Sequence, residues 1–257
     1  MILLIRQLAT ENIKIKNSSA LWLCIVGAAY GPVLLSLSIF FRWGINLPPS
    51  GQNPWLSFLR RSVNAISFVF LPMLVILLMA LLMNIEHKAN GWKQIFIQPI
   101  SKSNIFLSKY LVVIALIFIF YYGFACCLLL GGIVLGYWKK ELNFLNDFPD
   151  GLNIFMTLLK SFISVLALIA IHFWLSFRIK NLFINIGLGL VAVLTATLIY
   201  LGNFQHVHFN PYEFPIMMVN YMHDPGHFLS DFHIYSLVYF FVISIFSYWD
   251  FTRNFRG

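Results

Sequence analysis

The residues best suited to chemistry in this chain cluster between Asn84 and Tyr110, in the string NIEHKANGWKQIFIQPISKSNIFLSKY. Glu86, His87, Gly91, Trp92, Lys93, Pro99 and Lys109 supply an acid, an imidazole, two turn formers, a large aromatic ring and two amines. Set between two long apolar runs, this polar and basic stretch is where a soluble partner could grip. Pro99 breaks any continuous helix, and Ser101 or Ser103 could cap the helix that follows. The spacing predicts a helix, a turn and a short helix parallel to the membrane, a lever that a soluble motor could push.

A second set of reactive side chains lies in Gly202–His233, where His206, His208, His223, His227 and His233 accompany Glu213, Asp224 and Asp231. His206 and His208 fall on one side of an extended backbone, and His223 and His227 have helical spacing; zinc or copper could bind such a set. Pro225 and Gly226 interrupt a helix between the latter pair, so the expectation is an interfacial loop with a short re-entrant helix over Pro215–Met222 and no metal centre. Two ionisable residues sit inside apolar runs. Lys160 is near a run's end and can reach the headgroups; the deeper His172 is expected to stay neutral and bond a neighbouring helix. No Gly-x-x-x-x-Gly-Lys-Ser/Thr phosphate loop occurs in the chain, so it cannot hydrolyse ATP by that route. Gly187-Leu188-Gly189-Leu190-Val191-Ala192 matches a dinucleotide fingerprint in letters only, with no strand before it and no suitable acid about 20 residues on.

The elements that must position these residues follow from composition. Of 257 residues, 60% are hydrophobic and 10% charged, and the mean hydropathy is +0.82. Soluble domains carry about 25% charge, so a bilayer must cover this surface. Six runs are long enough, at 21–41, 63–83, 111–136, 157–177, 182–201 and 232–249. About 20 helical residues cross a hydrocarbon core of roughly 30 Å, and helices satisfy their own backbone in lipid. With the N-terminus cytoplasmic, 11 of the 17 Lys and Arg lie inside and 5 outside, while Lys160 sits at a span end. That bias places both termini in the cytoplasm and makes the net charge of +8 a matter of topology rather than of nucleic-acid binding. Residues 1–20 are not a cleavable signal. Ile5, Leu8, Ala9 and Ile13 share a face there, apart from Gln7, Glu11 and Lys14, as in an amphipathic helix on the inner membrane surface. Cys24, Cys126 and Cys127 all fall in spans and are expected to pack as small apolar groups. Gly27/Gly31 and Gly132/Gly136 share a four-residue spacing suited to close helix contacts, within or between subunits. The reading is an all-α integral membrane protein of six transmembrane helices, one permease domain over 1–257, with a coupling loop at 84–110 and an external loop at 202–231.

On Glu86, Gly91-Trp92, Ile95–Ile97, Pro99, Ser101-Lys102 and Lys109, the chain resembles the type-2 ABC transporter permeases. The layout of six spans, amphipathic N-terminal helix and long fifth loop is similar too, and small permeases that export or expel lantibiotic-type peptides are nearest in character. The histidine-rich fifth loop departs from the pattern. The resemblance implies a membrane subunit of an ATP-driven exporter in the plasma membrane, paired with a second permease copy or paralogue. It also implies two copies of a separate ATP-binding subunit that carry the ATP and magnesium, leaving no cofactor on this chain. Glu86 would anchor the base of the second span, pairing with Lys88 or Lys93, and Trp92 would be a docking aromatic. The substrate would be hydrophobic or amphipathic: a peptide, drug or lipid. Two other classes are weighed against this: a membrane enzyme or haem or metal handler using His172 and the outer histidines, and a non-catalytic assembly protein.

Overall fold

The computed structural model describes residues 2–16, 18–41, 53–88, 91–97, 100–147, 149–202, 209–221 and 229–255. Ten α-helices run through them: α1 Ile2–Lys16, α2 Ser19–Phe40, α3 Pro54–Ser67, α4 Phe70–Lys88, α5 Gly91–Ile97, α6 Lys102–Trp138, α7 Gly151–Arg178, α8 Leu182–Leu201, α9 Phe214–Tyr221 and α10 Asp231–Arg253. No strand occurs among the described residues. Six helices, α2, α4, α6, α7, α8 and α10, are long and apolar enough to cross a membrane. The fold is that of an all-helical, multi-pass membrane protein.

Two boundaries differ from the sequence reading. The uncharged run 63–83 is split at Phe68 and Val69, and its first part belongs to α3. Trp55, Phe58, Leu59, Ser62, Val63 and Ile66 are buried on one side of α3, whereas Arg60 and Arg61 are part-exposed. That is amphipathic spacing, which suits a helix packed against the bundle rather than one crossing it. Asn53 accepts the Trp55 backbone N–H at 2.9 Å and Pro54 occupies the first turn, fixing where α3 starts. The second difference is α6, whose helix begins at Lys102 rather than Leu111 and runs for 37 residues. That is about 55 Å, well beyond the roughly 30 Å of hydrocarbon. Ser101 caps it, its hydroxyl accepting Asn104 N–H at 3.3 Å, one of the two serines expected there.

Close approach at glycine sets the helix spacing. A β-carbon on Gly27 would meet Leu74 and Phe70 of α4, and one on Gly31 would meet the Ser62 carbonyl and Ile66 of α3. Gly132 lies against the Trp55 indole and Gly136 against Leu145. All four contacts are therefore made within one chain. Cys24 is buried and Cys126 and Cys127 are half-buried, all three as free thiols.

The first helix rests its polar side on protein rather than leaving it to water. Gln7, Glu11 and Ile15 are buried against the bundle, whereas Ala9 and Ile13 face away from it. Its exposed side carries Ala9 and Ile13, which suit the membrane surface as in an amphipathic helix, beside the polar Thr10, Asn12 and Lys16.

Candidate functional site

Four charges from three helices meet at the end of the bundle where α1, the end of α4 and the start of α6 converge. The Lys109 ammonium on α6 reaches Glu86 Oε1 on α4 at 2.8 Å and both carboxylate oxygens of Glu11 on α1, at 3.1 and 3.0 Å. Lys14 closes the ring, 2.6 Å from the same Glu86 oxygen and 3.2 Å from Glu11. Glu86 is 3% exposed, Lys109 4% and Glu11 5%. Two acids and two amines alternate with zero net charge, the condition under which burial is tolerable. Glu86 thus pairs with Lys14 and Lys109, not with Lys88 or Lys93, which are exposed. At Lys14 burial pulls the pKa down, but the Glu86 hydrogen bond and the charges of Glu11 and Glu86 together hold it above 10.5. A folded value above the unfolded one means that Lys14's contribution to stability is complete below pH 10.5 and fades only as pH climbs through the folded value.

Next to the ring, α5 folds back under the bundle. Trp92, expected as a docking aromatic, is buried. Its indole packs on Phe96, Phe251 and Phe255, with ring centroids 5.0–6.1 Å apart, and the Lys109 ammonium lies 5.5 Å from its centroid. Trp92 Nε1 donates to His87 Nδ1 at 3.1 Å, so the His87 proton sits on Nε2, which donates to the Ser176 carbonyl at 2.9 Å. A single chain of contacts therefore runs from α5 through α4 to α7. Lys102 extends it to α10, donating to the carbonyls of Thr252 and Phe255 at 3.2 and 2.8 Å. Asp250 on α10 accepts Arg178 Nε at 2.7 Å and Trp174 Nε1 at 3.0 Å from α7.

Gly91 opens α5. A β-carbon there would run into Glu86 Oε2 and come within 3.2 Å of Glu86 Cα, a backbone atom that cannot move aside cheaply. Gly91→Ala is accordingly expected to cost about 1–3 kcal/mol, read as a lower unfolding temperature in detergent. A melting curve superimposable on wild type would refute the contact. Of the remaining residues singled out, Lys93 lies on the exposed side of α5 and Pro99 falls outside the described residues.

Several members of the site are invisible to motif reading. Glu11 and Lys14 complete the ring, and Phe251 and Phe255 seat Trp92. Ile97, 84% exposed at the tip of α5, forms an outward face with Lys93 and Gln94. One signal was available: Glu11 is the sole acid in the first 20 residues, and an acid kept in a basic segment invites a partner.

The opposite end of the bundle is differently built. A helix lies over Phe214–Tyr221, close to the expected Pro215–Met222. His172 is fully buried and bonds Tyr212 Oη through Nε2 at 3.0 Å, a partner in the segment before α9 rather than in a transmembrane helix. Lys160 sits 5.0 Å from the Tyr221 ring centroid. His206, His208, His223 and His227 lie outside the described residues, and among the described residues no group of three or more potential metal ligands occurs.

No curated protein and no solved structure matches the chain. The sequence does match the family described as ABC-2 family transporter protein, over residues 7–202. That span takes in the charge ring, α5 and five of the six long helices. A short helix packed beside a buried charge ring at one end of an apolar bundle is thus set in a chain that belongs to the ABC-2 transporter family.

Proposed function

We propose that the chain is the translocating subunit of an ATP-driven exporter whose ATP-binding subunit docks on α5 from the cytoplasm. ABC-2 permeases generally work with an ATP-binding subunit, which on this reading carries the ATP and magnesium. The observation that carries the docking reading is the two-sidedness of α5. Its inner side, Gly91, Trp92 and Ile95, is fixed to the bundle; its outer side presents Lys93, Gln94 and Ile97 to whatever lies beyond. A partner pushing on that face would move α4, α6, α7 and α10 through the His87–Ser176 bond, the charge ring and the Lys102 contacts. The excess of basic residues at this end supports its cytoplasmic placement; the membrane proposed is the plasma membrane. Two permeases, identical or related, and two ATPases would form the working assembly. The apolar faces of the bundle suit a hydrophobic or amphipathic substrate.

The test uses the exposed face, which leaves folding alone. Ile97→Asp is expected to keep the wild-type melting temperature while abolishing co-purification of the ATP-binding subunit in mild detergent. If the ATPase still co-purifies at wild-type yield, α5 is not its seat.

A further inference from the structure

Glu213 is the one carboxyl group at the end opposite the charge ring that is wholly shielded from solvent, among the described residues, at 0% exposure. It is built into the start of α9. Its backbone carbonyl accepts the N–H groups of Ile216 and Met217, both at 2.9 Å, and its own N–H donates to the Asn210 carbonyl at 3.0 Å. The side chain takes a single hydrogen bond, from Asn210 Nδ2 to Oε1 at 3.0 Å; Oε2 is buried with no partner. An ionised carboxylate left with an orphaned oxygen costs free energy that a neutral one does not. The adjoining residue, Tyr212, is tied to His172, so the whole 210–213 strap is pinned by side chains.

The ionisable groups around α9 do not neutralise this carboxyl. Helix α3 brings Arg60 and Arg61, α7 brings His172 and Lys160, α8 brings Tyr200, and α10 brings Asp231 and His233. Of these, Lys160 sits against Tyr221 at the far end of α9, His172 is engaged with Tyr212, and His233 Nδ1 accepts the Ser230 N–H at 3.2 Å. Burial is the leading influence on Glu213 and pushes its carboxyl up to about 7, with the Asn210 bond drawing it back only in part.

We propose that Glu213 is a proton-binding latch: neutral, it keeps α9 seated between α3, α7 and α10, and on losing its proton it draws in water and unseats the helix. The sign follows from the raised folded value. The seated form is fully stabilised below pH 4.5, weakens as pH rises towards 7 and is weakest, then constant, above it. The consequence for transport, that acid on the outer side holds this mouth shut, rests on the permease reading; the latch itself does not.

The test uses the full chain in lipid nanodiscs titrated from acid to alkaline pH. Infrared difference spectra are expected to show a protonated carboxyl disappearing with a midpoint near 7, absent in Glu213→Gln. Asn210→Ala, which removes the one donor, is expected to move that midpoint upward. Seating is read by thiol labelling of Met218→Cys, buried in α9, as a ratio to the exposed Asn220→Cys, with native cysteines replaced by serine. The ratio is expected to rise at least fivefold from pH 6 to pH 8 and to stay flat when Glu213→Gln is added. Absence of a titrating carboxyl overturns the proposal, as does a labelling ratio that ignores pH or follows it equally in the glutamine variant. Should Glu213→Gln not fold, the wild-type titration and the Asn210→Ala shift decide alone. Failure here leaves ATPase co-purification untouched, so the latch and the permease reading fall separately.

Discussion

Lys109→Met is expected to destabilise the purified chain by roughly 3–5 kcal/mol, the cost of taking one partner from a buried ion pair. Lys109 is the only member of the ring that touches both acids while itself shut away from solvent. Without it, Glu86 and Glu11 face each other with Lys14 as sole counter-ion, and Lys14 is about a third exposed, at 32%. Lys14→Met should therefore cost much less, about 1 kcal/mol or below, because solvent already screens its pairs. The double variant Lys109→Met, Glu86→Gln removes one orphaned charge along with the amine and should recover a good part of the loss, a non-additivity that marks direct coupling. Chemical denaturation in detergent of wild type, Lys109→Met, Lys14→Met, Glu86→Gln and the double variant measures this. Equal losses for the two lysine variants, or strict additivity, would show that the ring is not a single electrostatic unit.

The ring also shows where sequence reasoning stops. Glu86 and Lys109 stand out because charge is rare in so apolar a chain and because both flank spans. Their pairing is not legible: local spacing points to Lys88 or Lys93, a few residues from Glu86, whereas the actual partners come from 23 and 72 positions away. Helix α1 was legible only in part for a related reason. Its periodicity correctly gives a helix with unlike faces, but periodicity carries no sign, and which face meets the protein depends on whether water or lipid lies outside. With lipid outside, Ile13 goes out and Glu11 comes in. The six long helices were legible because hydrocarbon thickness fixes their length and composition. The break at Phe68 and Val69 was not, since nothing charged interrupts the run, and only the placement of Trp55, Phe58 and Val63 on one side reveals a separate helix.

Trp92 gives the sharpest contrast between expectation and structure, because the same residue suits two opposite roles. As a docking aromatic it would be exposed, and its loss would weaken partner binding while leaving the fold intact. Buried among Phe96, Phe251 and Phe255 it instead fixes α5 to α10, and its truncation opens a void in the aromatic cluster. Trp92→Ala is expected to cost about 3–5 kcal/mol, the range for emptying a buried aromatic site. It also strands His87 Nδ1, whose donor is the indole N–H. Trp92→Phe keeps most of the packing and forfeits that bond, so about 1 kcal/mol should be lost. The proposed coupling gives these variants an order. Trp92→Ala should unfasten α5 and disable both stability and ATP-driven transport. Ile97→Asp should disable transport alone, by removing the partner's foothold, and Trp92→Phe should leave transport near wild type. Melting temperatures in detergent and ATP-driven transport in proteoliposomes, compared across the three variants, separate a structural pin from a contact surface. A Trp92→Ala protein that melts with wild type but no longer binds its ATPase would return the indole to the exterior and overturn the seating of α5 described above.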